Sequence, residues 1–187
     1  MHWNIIIGLA LTLTSCTGYK LGTPVPYRQE LSKPIVAMLP IIDRTMTSLS
    51  GELTDALRYQ LNQNNSLFLV DSHEFQNAIQ TKGPSQLFGT NLFWVKDAFE
   101  HDEFAVFLEL LEHVETPDAK LAMTLRVRVV DLRKKEPQVI LQEQISQLHS
   151  LNDLFEESPD PIARAHTLLV QETAKHVEEY ILLARGV

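Results

Sequence analysis

This chain of 187 residues has one cysteine, so no disulfide can form within it and hydrophobic burial has to hold the fold. It has no uninterrupted run of about twenty apolar residues, the length a membrane-spanning helix needs. Basic charge is scarce, with 16 Lys plus Arg against 24 Asp plus Glu, and the net charge is −8. Nucleic-acid binding needs clustered positive charge. The one dense basic run, Arg133-Lys134-Lys135, lies between two expected strands and reads as a solvated hairpin tip, so no nucleic-acid partner is expected. Catalytic signatures are missing too. There is no Gly-x-Ser-x-Gly elbow, no phosphate loop, no His-Glu-x-x-His and no cysteine pair. No internal repeat or low-complexity tract is present.

What is there begins at the N-terminus. Residues 5–14, Ile-Ile-Ile-Gly-Leu-Ala-Leu-Thr-Leu-Thr, carry no charge. Their length is that of a secretory hydrophobic region, and small residues follow them. Met1-His2-Trp3-Asn4 contains no Lys or Arg, so the terminal amine must supply the positive charge. Leu13-Thr14-Ser15-Cys16 resembles the lipobox of bacterial lipoproteins. That resemblance implies cleavage between Ser15 and Cys16 and acylation of the Cys16 thiol and the new amine. Each buried methylene contributes ~0.8 kcal/mol, and two or three chains give firm attachment where one is marginal. Acylation would also account for an unpaired cysteine in an exported protein. Thr17 rather than Asp follows Cys16, which by the same resemblance favours the outer membrane, on its periplasmic face, over the inner one. Residues 16–34 hold three prolines and two glycines and read as a lipidated, extended tether. Residues 1–15 are then a signal peptide, and residues 35–187 are long enough for a single α/β domain with its own core.

Within that domain, Ile35-Val36-Ala37-Met38-Leu39-Pro40 reads as a strand buried on both faces. Asp43–Ser48 is a polar loop. Ser50 is an expected cap for a helix whose Leu49, Leu53, Ala56, Leu57 and Leu61 share one stripe. Leu67–Val70 is a second short strand, completing a strand–helix–strand crossover. Asp71 and Glu74 suggest a capped helix with Phe75, Ala78 and Ile79 inward, broken at Lys82-Gly83-Pro84. Residues 83–91 read as a loop, followed by a short helix from Leu92 to about Glu100.

A meander follows. Phe104–Glu115 and Leu121–Leu132 flank Thr116-Pro117-Asp118-Ala119. A turn centred on Pro117-Asp118 sets Val106 against Val129, Leu108 against Val127, Leu110 against Leu125 and Glu109 against Arg126. Apolar faces and the charge pair agree in that one register. Glu109–Arg126 is expected to be a surface pair, worth under ~1 kcal/mol. A third strand runs from about Gln138 to Gln147. Asp160 suits the cap and Pro161 the first position of a long final helix, with Ile162, Leu169, Val177, Tyr180 and Ile181 near one face. The expected fold is a two- or three-layer mixed sheet of about five strands, packed by helices.

This order of elements resembles the curli-secretion-channel-like superfamily. That group includes the N-terminal domain of the Tol-Pal periplasmic protein and outer-membrane lipoprotein activators of penicillin-binding proteins. The residues carrying the resemblance are Ile35–Pro40, Asp43-Arg44-Thr45, Leu67–Asp71, Phe104–Glu115, Leu125–Asp131 and Val139–Ile145. The segment after Val70-Asp71 lacks the Arg common in the family. The resemblance implies a lipid-anchored periplasmic binding or adaptor protein that docks on an envelope enzyme, such as a peptidoglycan synthase. It names no individual binding residue.

No nucleophile or ligand set stands out, so neither catalysis, cofactor nor metal is expected. His101-Asp102-Glu103 reads as a charged loop, because chain neighbours rarely converge on one ion. Glu109, His113 and Glu115, spaced along one strand, are expected on one solvated face. Two other readings stay open. An export-channel subunit would need additional strands of about nine to eleven residues each. An envelope hydrolase would need a reactive group. The candidate partner-binding residues are Asp43, Arg44 and Thr45, with Gly83–Asn91 as a second loop, since loops on rigid scaffolds often carry recognition.

Overall fold

A computed structural model describes residues 33–70 and 84–186. Cys16, the expected leader, the expected tether up to residue 32 and the expected helix after Asp71 lie outside the described residues; Lys33 and Pro34, expected in the tether, are described, and Pro34 O accepts from Phe68 N at 2.9 Å. The described chain forms an open mixed sheet packed by helices, with a long C-terminal helix.

The sheet runs in the order β3 (Phe68–Val70), β1 (Ile35–Met38), β4 (Phe104–Glu115), β5 (Lys120–Asp131) and β6 (Gln138–Ser150). A two-residue strand, β2 (Ile42–Asp43), also pairs with β4. It raises the expected five strands to six. β1 and β2 are successive parallel partners of the same strand, interrupted at Leu39-Pro40-Ile41, where Pro40 lacks the N–H a ladder needs. β1 is parallel to both neighbours, whereas β4, β5 and β6 form an antiparallel meander.

Alternation along the central strands divides the core. Val36, Met38, Phe104, Val106 and Leu108 face one side, and Ala37, Leu39, Ala105 and Phe107 face the other. The first side carries α1 (Ser50–Gln63) and α4 (Pro161–Arg185), and Leu151 and Leu154 of α3 (Leu151–Glu157) join its core. Leu53, Leu57 and Leu61 of α1 are buried there with Leu169, Val177 and Ile181 of α4. Each such side chain contributes roughly 1.5–3 kcal/mol on leaving water. Tyr180 departs from the expected stripe and is partly exposed. On the second side a 3-10 turn (Pro84–Phe88) and α2 (Phe93–Ala98) cover only part of the sheet. Val95 is buried there, and Trp94 and Phe99 lie 6.5 and 6.4 Å from the ring of Phe107. The expected loop at 83–91 therefore contains a helical turn over its described part.

Several local expectations change for identifiable reasons. Ser50 is not the cap of α1; Leu49 holds that position without a side-chain bond. The Ser50 hydroxyl instead donates to the carbonyl of Ile41. Thr54 Oγ1 accepts from Ile41 N at 2.9 Å and donates to Ser50 O at 2.5 Å. These bonds satisfy the backbone at the strand break. At α4 the cap is as expected: Asp160 accepts from Ala163 N at 2.9 Å, Pro161 starts the helix, and Gly186 ends it at φ 82°. β6 runs three residues past Gln147, until Ser150 caps α3.

The β4–β5 register holds as expected for Val106–Val129, Leu108–Val127, Glu109–Arg126 and Leu110–Leu125. It does so through two compensating irregularities. Ala119 adopts φ 54°, making the turn one residue longer than a centre at Pro117-Asp118 implies. Thr116 N donates to Lys120 O at 2.8 Å, and Glu115 pairs with Leu121. A bulge between Leu110 and Glu112 then restores the register. Because side chains alternate, the bulge flips everything beyond it. Glu109 and Glu112 come to one face, and His113 pairs with Met123 on the face toward the helices. The expected common face of Glu109, His113 and Glu115 is therefore not formed.

Candidate functional site

Strand alternation puts Glu109 on the side away from α1 and α4. Its carboxylate is 2% exposed, which corrects the surface pair expected from sequence. A buried carboxylate requires compensation. Arg126, directly opposite on β5, donates through Nη2 to Glu109 Oε2. Arg44 arrives from the other flank, because β2 pairs alongside β4 and Arg44 N donates to Leu110 O at 3.0 Å. Its Nε donates to Glu109 Oε1 at 2.6 Å. One hidden carboxylate thus holds two guanidinium groups whose side chains are 44% (Arg44) and 32% (Arg126) exposed.

The aromatic component comes from the 3-10 turn. Phe88 lies 4.0 Å under the Arg126 guanidinium and 5.3 Å from that of Arg128. Arg128 is buried and fixes this turn in place. It donates from Nη1 to the carbonyls of Leu87 (2.9 Å) and Gly89 (2.7 Å), from Nη2 to Phe88 O (2.8 Å), and from Nε to Gln142 Oε1 (2.8 Å). Burial, then the neighbouring Arg126 charge, pull its pKa below the usual arginine value. An arginine nevertheless stays charged at neutral pH.

The Asp43–Ser48 loop borders this cluster. Asp43 Oδ1 accepts from Thr45 N at 2.7 Å and Thr45 Oγ1 at 2.6 Å, and Oδ2 accepts from Thr47 Oγ1 at 3.2 Å. Burial raises its pKa, but the Thr45, Thr47 and Leu49 hydrogen bonds outweigh it and hold the carboxyl below its usual value. Met46 and Ser48 have φ of 60° and 64°, a left-handed conformation uncommon outside glycine. Met46 is 94% exposed at the tip. Strained, displayed residues of this kind concentrate at functional loops.

Of the three expected site residues, only Arg44 joins the cluster; Asp43 and Thr45 shape the loop beside it. Phe88 falls within the second candidate loop, Gly83–Asn91, whereas sequence reasoning missed Arg128. A signal was present, since Glu109, Arg126 and Arg128 sit at same-face positions of otherwise apolar strands. Elsewhere, Glu103 accepts from Ile35 N at 3.1 Å and from Arg185, so it ties β1 to the chain end. Arg133 turns inward from the expected solvated tip, pairing with Asp131 and lying 4.7 Å over the Phe104 ring. Among the described residues no three His, Cys, Asp or Glu side chains are placed to hold a metal ion. No described helix is long and apolar enough to cross a membrane.

A family model described as a family of unknown function, DUF7499, matches residues 26–185. The chain belongs to that family. None of the curated proteins is detectably similar to it. Among solved structures, the hypothetical protein CT253 from Chlamydia trachomatis is 26% identical, with a TM-score of 0.66 over 80% of this chain and 98% of that one. The two share a fold. Lipoprotein GNA1162 from Neisseria meningitidis gives 9% identity and a TM-score of 0.46, covering 63% of this chain and 82% of that one. The LpoB C-terminal domain from Salmonella enterica gives 18% and 0.43, covering 61% and 82%.

Proposed function

We propose that this DUF7499 chain is a lipid-anchored binding or adaptor protein of the bacterial cell envelope. Cys16 is the acylated residue, the residues from 17 up to 32 are the tether, and the domain docks on an envelope protein and alters its activity. A peptidoglycan-synthesising enzyme is the class of partner the sequence resemblance favours. The observation that carries the binding reading is the exposed Arg44 and Arg126 pair held on buried Glu109 beside the strained Met46 loop. Two guanidinium groups fixed on one buried carboxylate are pre-organised for recognition.

Two measurements on the full chain in its bacterial host test this. A clickable palmitate analogue should label the wild type and not Cys16→Ser, and globomycin should block processing. A photo-crosslinking amino acid at Met46 should join the protein to one envelope partner. Unlipidated protein in the cytosol with its leader intact, or no capture, would remove the basis of the proposal.

A further inference from the structure

Beyond the 3-10 turn, no described helix covers the outer face of the β4–β6 meander. Pairing sets Val114, Ala122 and Leu148 in one row across the three strands. They point away from α1 and α4, because Leu121 and Met123 on either side of Ala122 belong to the core beneath those helices. Val114 is 50% exposed and Leu148 63%. The next row is polar: Thr124 Oγ1 donates to Glu112 Oε2 at 3.0 Å and lies 3.0 Å from Ser146 Oγ. Arg126 follows, four residues from Ala122, which is about 13 Å along a strand. The face therefore has an apolar end, a low middle with small side chains along β5, and a cationic end. In a protein of net charge −8 this end is unusual, and its countercharge on Glu109 is out of reach of solvent.

Sheets bury their apolar faces against a second layer, and among the described residues α2 and the 3-10 turn supply that layer for only part of the sheet. We infer that the remainder is completed by an amphipathic acidic helix of the envelope partner. That helix places an apolar side chain on Val114 and Leu148 and a carboxylate on Arg126 and Arg44. Residues seven or eight apart lie near one helix face and are about 10.5–12 Å apart at 1.5 Å each, and the long arginine side chains can close the remaining distance. The carboxylate can bind the guanidinium groups by parallel N–H···O bonds. This inference rests on the adaptor reading above and specifies its partner's chemistry.

The test uses the full-length protein in cells, with the photo-crosslinker at Val114 and, as a control, at exposed Tyr59 on α1. The expected result is capture from Val114, through a helical peptide with Asp or Glu seven or eight residues from the joined apolar residue. Capture should fall about tenfold or more in Arg126→Glu, where attraction becomes repulsion. Leu148→Asp should act similarly; it tests the same face without disturbing Glu109, and circular dichroism confirms its folding. Five outcomes overturn the inference: equal capture from Tyr59; capture surviving both substitutions; a joined peptide without a carboxylate; a cross-link to a second copy or within the chain; or no capture from Val114. If Met46 still captures the partner when Val114 does not, only the face assignment fails. If neither does, the adaptor reading fails with it.

Discussion

His113 on β4 and His166 on α4 face each other with their Nε2 atoms 2.9 Å apart. One ring must donate and the other accept, so the contact does not survive protonation of both rings. His166 is 7% exposed. Burial, then the adjacent His113, push its pKa below the ordinary histidine value, against the opposing pull of Glu52 and Asp160. Glu52 Oε1 is 3.6 Å from His166 Nδ1, beyond a good hydrogen bond. The folded state thus holds its proton less tightly than the unfolded chain, where histidine titrates near about 6.5. This contribution to stability is complete above that pH and is lost as pH falls through the lower folded value. The urea midpoint should drop between pH 7.5 and 5. His113→Gln, which keeps a hydrogen-bonding group but no charge, should lessen the drop, with the part due to burial remaining; an unchanged pH profile in that variant would contradict the pairing.

Glu109→Gln removes the charge shared by Arg44 and Arg126. It leaves two guanidinium groups side by side with one neutral acceptor. Because both arginines are partly exposed, the expected loss is about 2–3 kcal/mol rather than the larger cost of a fully buried pair. Urea unfolding reads it directly. Arg126→Met combined with Glu109→Leu should lose less than the sum of the single changes, since the double variant leaves only the 44% exposed Arg44 without its carboxylate partner.

Arg128→Lys keeps the charge but cannot reach three carbonyls and Gln142 together. The expected cost is about 1–3 kcal/mol. Hydrogen exchange should quicken at residues 86–89 while α4 stays protected. Uniform loss of protection across the sheet would mean that Arg128 supports more than this turn.

Ala119→Gly should stabilise the protein by about 0.5–1 kcal/mol, because φ of 54° costs an alanine what a glycine does not incur. The bonds from Leu151 N to Ala119 O and from Ala119 N to Thr116 O are backbone bonds and survive the change. A lower thermal midpoint would indicate that the turn does not use this conformation.

How much of this was readable in advance differs from residue to residue. The stripe Leu53, Leu57 and Leu61 and the Asp160-Pro161 start are local signals, and the helices form where those signals lie. The hairpin register was readable because a hydrophobic face and a charge pair constrained it together. Sequence places Glu109 on the surface because nothing adjacent in the chain reveals that Arg44 closes over it from 65 residues away. Sequence alternation puts the His113 side chain on the face of Glu109 for a related reason: a one-residue bulge leaves no compositional mark but reverses every side chain beyond it.

By itself the sequence determined periodicity, caps, turn chemistry and the order of elements, because these arise from interactions within a few residues along the chain. Only the tertiary structure decided which charges were buried, which strand face the described helices leave uncovered and which histidines met. Those depend on contacts between distant segments, and burial, which sets their energies, does not exist until the sheet and helices have packed.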